Sequence, residues 1–176
     1  MIRDVLRGAV GFAFVSVAAF SVWAFGPLQG PAMFAAVAAV FVVLTGFALH
    51  PLAPSPARFA KAFVPAFVAY AAVWSALYFL FRFKGRDYLA TAAAVAAFTA
   101  VLAAVLGGRR AWLPAWLVAT GAHAAGYGLG GVVCYGVFHH DRLGMLAWGV
   151  GYGLGFGAGI GYAFHAFQRR ALPTGS

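Results

Sequence analysis

Long apolar runs separated by short polar stretches dominate the hydrophobic pattern of the chain. Six of these runs reach the roughly 20 residues that an α-helix needs to cross a bilayer, and glycine, proline or charged residues mark their ends. We expect membrane-spanning helices at about 8–25, 31–49, 62–81, 88–107, 111–138 and 145–167. The pattern therefore predicts an all-α fold, a polytopic membrane helical bundle of six transmembrane helices. The whole chain, 1–176, forms a single transmembrane domain in this interpretation.

The sixth run has a glycine at every second position from Gly149 to Gly161. On a helix these glycines form two stripes on nearly opposite sides, and small residues spaced by four let membrane helices approach closely. One stripe contains Gly149, Gly153, Gly157 and Gly161, and the other contains Gly151, Gly155 and Gly159. The pattern predicts a tightly packed Gly-rich C-terminal helix that has a neighbour on each side.

A five-residue motif, GYGLG, occurs at 126–130 in the fifth run and again at 151–155 in the sixth. Ala122, Gly126 and Gly130 also share a spacing of four. We interpret the repeat as a shared packing requirement rather than as a duplication. It predicts that the fifth and sixth helices pack against each other.

Composition supports the membrane assignment. The chain is 64% hydrophobic and 9% charged, whereas soluble domains carry about 25% charged residues. The net charge of +9 comes from basic residues that stand singly or in pairs between the apolar runs, where anionic headgroups account for them. We therefore expect membrane lipids as partners, together with other transmembrane helices in a homo- or hetero-oligomer, and no nucleic acid.

The distribution of Lys and Arg predicts the orientation. If both termini are cytoplasmic, the inside segments carry eight basic residues and the outside loops carry four. The inside set is Arg3, Arg7, Arg58, Lys61, Arg109, Arg110, Arg169 and Arg170, and the outside set is Arg82, Lys84, Arg86 and Arg142. The positive-inside rule favours cytoplasmic termini, in what we expect to be the bacterial inner membrane.

Acidic residues are missing from the predicted spans. Asp4, Asp87 and Asp141 all lie outside the apolar runs, whereas ion-coupled transporters place ionisable groups near the midplane. No nucleophile or acid–base pair of an enzyme is recognisable. Adjacent residues such as His139, His140 and Asp141 rarely supply a full set of metal ligands, so no metal site is predicted, and no cofactor is identified.

His123 is the one strongly polar ionisable side chain near the middle of a predicted span. Gly126 and Gly130 follow it on the same helical face, which predicts a flat groove beside the imidazole. We expect a ligand-binding cavity formed by Thr120, His123, Gly126, Tyr127 and Gly130. The alternatives for His123 are a structural hydrogen bond to a neighbouring helix, axial ligation of a macrocycle, and a proton relay.

Three classes of function follow from these patterns. The first is a non-catalytic membrane protein that acts as a subunit of an assembly or binds a lipid-like or pigment-like apolar ligand. The second is a small-solute transporter or its substrate-binding subunit, for which six helices are the main support. The third is a membrane enzyme, which the absence of a recognisable nucleophile disfavours.

Overall fold

The computed structural model describes residues 1–169, and within them it contains six long α-helices and no strand. The helices are α1 (Ile2–Phe25), α2 (Gly30–Leu49), α3 (Pro56–Leu80), α4 (Arg86–Leu106), α5 (Trp112–Gly136) and α6 (Arg142–Arg169). Each is long and apolar enough to cross a membrane. The predicted all-α fold with six such helices is confirmed.

Five of the six helices are longer than their apolar runs, most clearly at the N-termini of α1 and α3, whereas α5 is slightly shorter than its run of 111–138. The runs were predicted to begin at about 8 and 62, whereas α1 begins at Ile2 and α3 at Pro56. The difference arises because backbone hydrogen bonding continues through basic residues that end a hydropathic run. The basic residues inside these two helices are Arg3, Arg7, Arg58 and Lys61.

Helix ends follow from local chemistry. Ser55 caps α3 by accepting a hydrogen bond from the Arg58 backbone N–H at 3.2 Å, as a serine at this position commonly does. Asp141 caps α6 in the same way, since its Oδ1 accepts from the Gly144 N–H at 2.7 Å. Gly85 and Gly107 bound α4 with φ of 89° and 80°, a conformation that glycine adopts without strain.

The first and last helices meet at one end of the bundle, which we call the terminal end. His165 Nδ1 and Asp4 Oδ2 are 2.8 Å apart, and the Gln168 amide donates to the Leu52 carbonyl at 2.8 Å. The opposite end contains the connections 26–29, 81–85 and 137–141, and we call it the recess end. There the Trp23 and His140 rings lie 6.0 Å apart.

Helix α6 lies between α1 and α5, while α3 packs on α4 and α2 packs mainly on α1. The interior of the bundle is largely aromatic. Its fully buried aromatic side chains are Phe12, Phe59, Phe63, Phe98, Phe156, Phe164 and Phe167. Many large apolar side chains on the outer surface are exposed, among them Phe14 and Phe47, each 75% exposed.

Candidate functional site

His123 lies in the aromatic interior with 1% of its surface exposed. Its Nε2 is 2.9 Å from the Tyr70 hydroxyl, which is 3.4 Å from the Tyr152 hydroxyl. The three side chains come from α5, α3 and α6, so one hydrogen-bonded chain joins three helices. If Tyr70 donates to His123, Tyr152 must donate to Tyr70, because a phenol has a single O–H.

The second nitrogen of His123 is unsatisfied. Nδ1 is buried and has no hydrogen-bond partner within residues 1–169. Aromatic rings surround the imidazole instead, with the centroids of Phe156 and Tyr152 at 4.8 Å and 5.0 Å. A buried nitrogen without a partner is costly, so the imidazole is held by its neighbours at an energetic penalty.

The groove expected beside His123 is occupied by α6. A Cβ placed at Gly126 would lie 2.8 Å from the Gly155 Cα, and one at Gly130 would lie 3.0 Å from the Trp148 Cα. Thr120 is close by, and its hydroxyl is also buried without a partner among the described residues. Of the five predicted ligand-binding residues, only Tyr127 reaches an open space.

The glycine stripes of α6 face two different helices. At Gly153 an added Cβ would lie 2.5 Å from the Ala13 Cα in α1, and at Gly155 it would lie 2.9 Å from the Gly126 Cα in α5. The α1-facing stripe contains Gly149, Gly153, Gly157 and Gly161, and the α5-facing stripe contains Gly151, Gly155 and Gly159. The two GYGLG motifs therefore lie opposite each other in an antiparallel pair.

A recess of about 740 Å³ opens at the recess end. It lies between the α3–α4 connection on one side and α5 with α6 on the other. Its lining combines six aromatic residues with three charged ones and the small residues of α5. The aromatic and charged members are Tyr78, Arg82, Phe83, Arg86, Asp87, Tyr88, Tyr127, Tyr135 and Trp148.

Two glycines of α5 keep the recess open. Gly128 and Gly131 line it, and a Cβ at either position would have its nearest neighbours at 3.8 Å, the Tyr88 hydroxyl and the Trp148 ring respectively. That is ordinary van der Waals contact, so a side chain added here projects into the recess without a backbone clash. The space therefore exists because these positions carry no side chain.

Tyr127 connects the recess to the buried histidine. Its ring lines the recess and lies 6.2 Å from the His123 ring. The Trp148 indole donates to the Tyr127 carbonyl at 3.0 Å, which fixes the wall where α5 meets α6. A continuous path of polar and aromatic groups thus extends from the recess to Tyr70 and Tyr152.

Most recess residues were not predicted from the sequence. Tyr78 and Tyr88 end α3 and begin α4, and only the turn at 81–85 brings them opposite α5. The one available signal was the concentration of aromatic and basic residues between 78 and 88. Neither His139 nor His140 lines the recess, although the His140 ring stacks at 4.8 Å on that of Tyr135, which does. Within residues 1–169, no group of three or more potential ligands is placed to hold a metal ion.

Replacing Tyr70 by phenylalanine removes the hydroxyl and leaves both nitrogens of His123 buried without a partner. A buried polar group that loses its partner costs about 1–3 kcal/mol. We expect Tyr70→Phe to lower the unfolding free energy in detergent by about that amount while the helical content stays unchanged. An unchanged midpoint in an SDS titration followed by circular dichroism would show that the hydrogen bond is not structural.

Comparisons with protein-family models, with curated proteins and with solved structures found no match for this chain.

Proposed function

We propose that the six helices cross a membrane and that both termini face the cytoplasm, in a bacterial inner membrane. Helix length and the exposed apolar side chains support the membrane crossing. The bias in Lys and Arg supports the orientation. Both ends of the helical chain lie at the terminal end, as an even number of spans requires. That end also carries Arg3, Arg7, Arg58 and Lys61.

Within this bundle, we propose that α6 acts as a close-packed inner helix. The support is geometric: its two glycine stripes lie against α1 and α5 at distances that no Cβ fits. Association of membrane helices depends on such packing rather than on a hydrophobic driving force, because lipid tails are as apolar as the side chains. The rigid pair of α5 and α6 then forms one wall of the recess.

The function that we propose is non-catalytic binding of an amphiphilic, lipid-like ligand in the recess. The recess itself supports this proposal most directly. Its volume of about 740 Å³ falls within the range of about 300–1,000 Å³ that is typical of ligand sites. Aromatic walls suit the apolar part of a ligand, and the charged residues at 82–87, in the α3–α4 connection and the start of α4, suit a polar head. If other chains associate with the protein, it is the lipid-binding subunit of that assembly.

Replacing Gly128 by leucine tests this function. The new side chain fills the recess, and the 3.8 Å spacing at Cβ predicts that the fold tolerates it. Native mass spectrometry of protein extracted from its expression membrane should show one lipid-sized adduct on each wild-type chain and none on Gly128→Leu. The same spectrum reports how many chains and which partner chains remain associated.

Gly121→Leu is the matched control, because Gly121 lies on the same helix, is exposed, and has nothing within 4 Å of an added Cβ. It should retain the adduct. A wild-type chain without an adduct, or an adduct that persists in both Gly128→Leu and Gly131→Leu, would contradict binding in the recess.

A small-solute transporter is the second candidate, and the hydrogen-bonded chain of His123, Tyr70 and Tyr152 behind the Tyr127 ring favours it. Transport requires that this chain become accessible to water from each side of the membrane in turn. A cysteine at position 123, in a Cys134→Ala background, tests the requirement. Reaction with a membrane-impermeant thiol reagent from both sides would favour transport, whereas protection from both sides would favour the binding function.

A further inference from the structure

Two guanidinium groups line the recess, that of Arg82 in the α3–α4 connection and that of Arg86 at the start of α4, and they differ in their contacts. Arg86 donates from Nη1 to the Phe81 carbonyl at 2.8 Å, and its guanidinium lies 4.2 Å from the Tyr78 ring centroid. Arg82 is exposed and makes no side-chain hydrogen bond or ion pair within residues 1–169. Its five N–H donors are therefore available to a ligand.

The charge balance of the recess favours an anion. Asp87 is its one carboxylate, and it forms no ion pair within the part of the chain that the structure describes. Arg82 and Arg86 carry two positive charges against the one negative charge of Asp87, so the recess lining has a net charge of +1. The Tyr88 hydroxyl also faces the space, since it is the nearest group to the position of a Cβ at Gly128.

Exposed apolar residues beside the arginines place the recess at the depth of lipid headgroups. Leu80 is 75% exposed, and Phe81 and Phe83 are 42% and 48% exposed. Aromatic and basic side chains alternate in this way where a protein crosses from the hydrocarbon region to water. A ligand with an acidic head and an apolar body can pair with the arginines and contact the apolar side chains at the same time.

We propose that the recess binds one anionic phospholipid, with Arg82 pairing with its phosphate and with the Tyr127 and Trp148 wall against its apolar part. This inference rests on the proposed binding function and names the class of ligand. Arginine suits the role because its planar guanidinium forms two parallel hydrogen bonds with a phosphate. A zwitterionic lipid shares the phosphate but carries an ammonium group that the net positive charge disfavours.

The test is a titration of delipidated protein in detergent, followed by native mass spectrometry. Dioleoyl phosphatidylglycerol, dioleoyl phosphatidylcholine and inorganic phosphate are the three probes. We expect one equivalent of phosphatidylglycerol to bind to the wild type, and Arg82→Gln to weaken this binding about tenfold, as the loss of a charge-assisted pair predicts. Lys84→Gln removes the same charge from the same connection outside the recess lining, and it should leave the affinity unchanged.

The outcomes separate the two proposals. Equal binding of the two lipids, or equal loss with Lys84→Gln, would overturn the role of Arg82 in selecting an anionic head. If Gly128→Leu still abolished the adduct in that case, binding in the recess would stand. Saturation by inorganic phosphate at the same affinity would overturn the lipid as the source of the anion. Binding of phosphatidylglycerol that is insensitive to Gly128→Leu and to Arg82→Gln would overturn both proposals.

Discussion

Gly155→Leu should disrupt the bundle. A Cβ at this position would lie 2.9 Å from the Gly126 Cα and still closer to the Ala122 carbonyl oxygen. These neighbours are backbone atoms of α5, so they cannot rotate away, and the three further carbons of leucine have no space. Overpacking costs about 1–3 kcal/mol and sometimes more, and we expect a loss of at least about 3 kcal/mol here.

Thermal unfolding in detergent, followed by size-exclusion chromatography, measures this effect. Gly46→Leu is the control, because Gly46 is also inside a helix and has nothing within 4 Å of an added Cβ. The control should retain wild-type behaviour while Gly155→Leu aggregates or fails to accumulate. Equal stability of the two variants would mean that α6 does not pack against α5 as described.

Phe156→Ala should produce the second large loss of stability. Phe156 is fully buried, and its ring lies 4.8–5.4 Å from the rings of His123, Tyr70, Phe12 and Phe98. Removing it leaves a cavity where α1, α3, α4 and α5 converge on α6. Large-to-small changes of this kind cost about 3–5 kcal/mol in soluble proteins. We expect about 3 kcal/mol, because a membrane supplies little transfer free energy.

An SDS titration of Phe156→Ala, compared with Phe14→Ala, measures the loss. Phe14 is 75% exposed on α1, and its removal should change the midpoint little. A similar midpoint for both variants would show that the aromatic interior does not hold the helices together.

The helices were predictable from the sequence because membrane length and apolarity are local properties. The exact ends were less predictable, since Arg3 and Lys61 interrupt the hydropathic pattern without interrupting the helix. The spacing of the glycines identified two sides of α6. The sequence did not show that α1 is the neighbour on one of these sides. That pairing depends on contacts such as the one between Gly8 and Gly157, which are far apart in the chain and leave no local signal.

The residues of the candidate site were also only partly predictable from the sequence. His123 was identifiable because it is an isolated ionisable group within an apolar run. Its partner Tyr70 lies 53 residues away, and no spacing rule connects the two. The recess was missed because it forms where the α3–α4 connection meets α5. Gly128 also belongs to the GYGLG motif, whose other two glycines lie against α6, and Gly131 directly follows that motif.

Photolabelling tests the recess site most directly. Protein in nanodiscs that contain phosphatidylglycerol with a diazirine near the headgroup would be irradiated, digested and mapped by mass spectrometry. We expect labelling to concentrate on 78–88 and 127–135 and to fall to background in Gly128→Leu but not in Gly121→Leu. Labelling spread over the exposed apolar surface of α2, with no difference between the two variants, would contradict a ligand site in the recess.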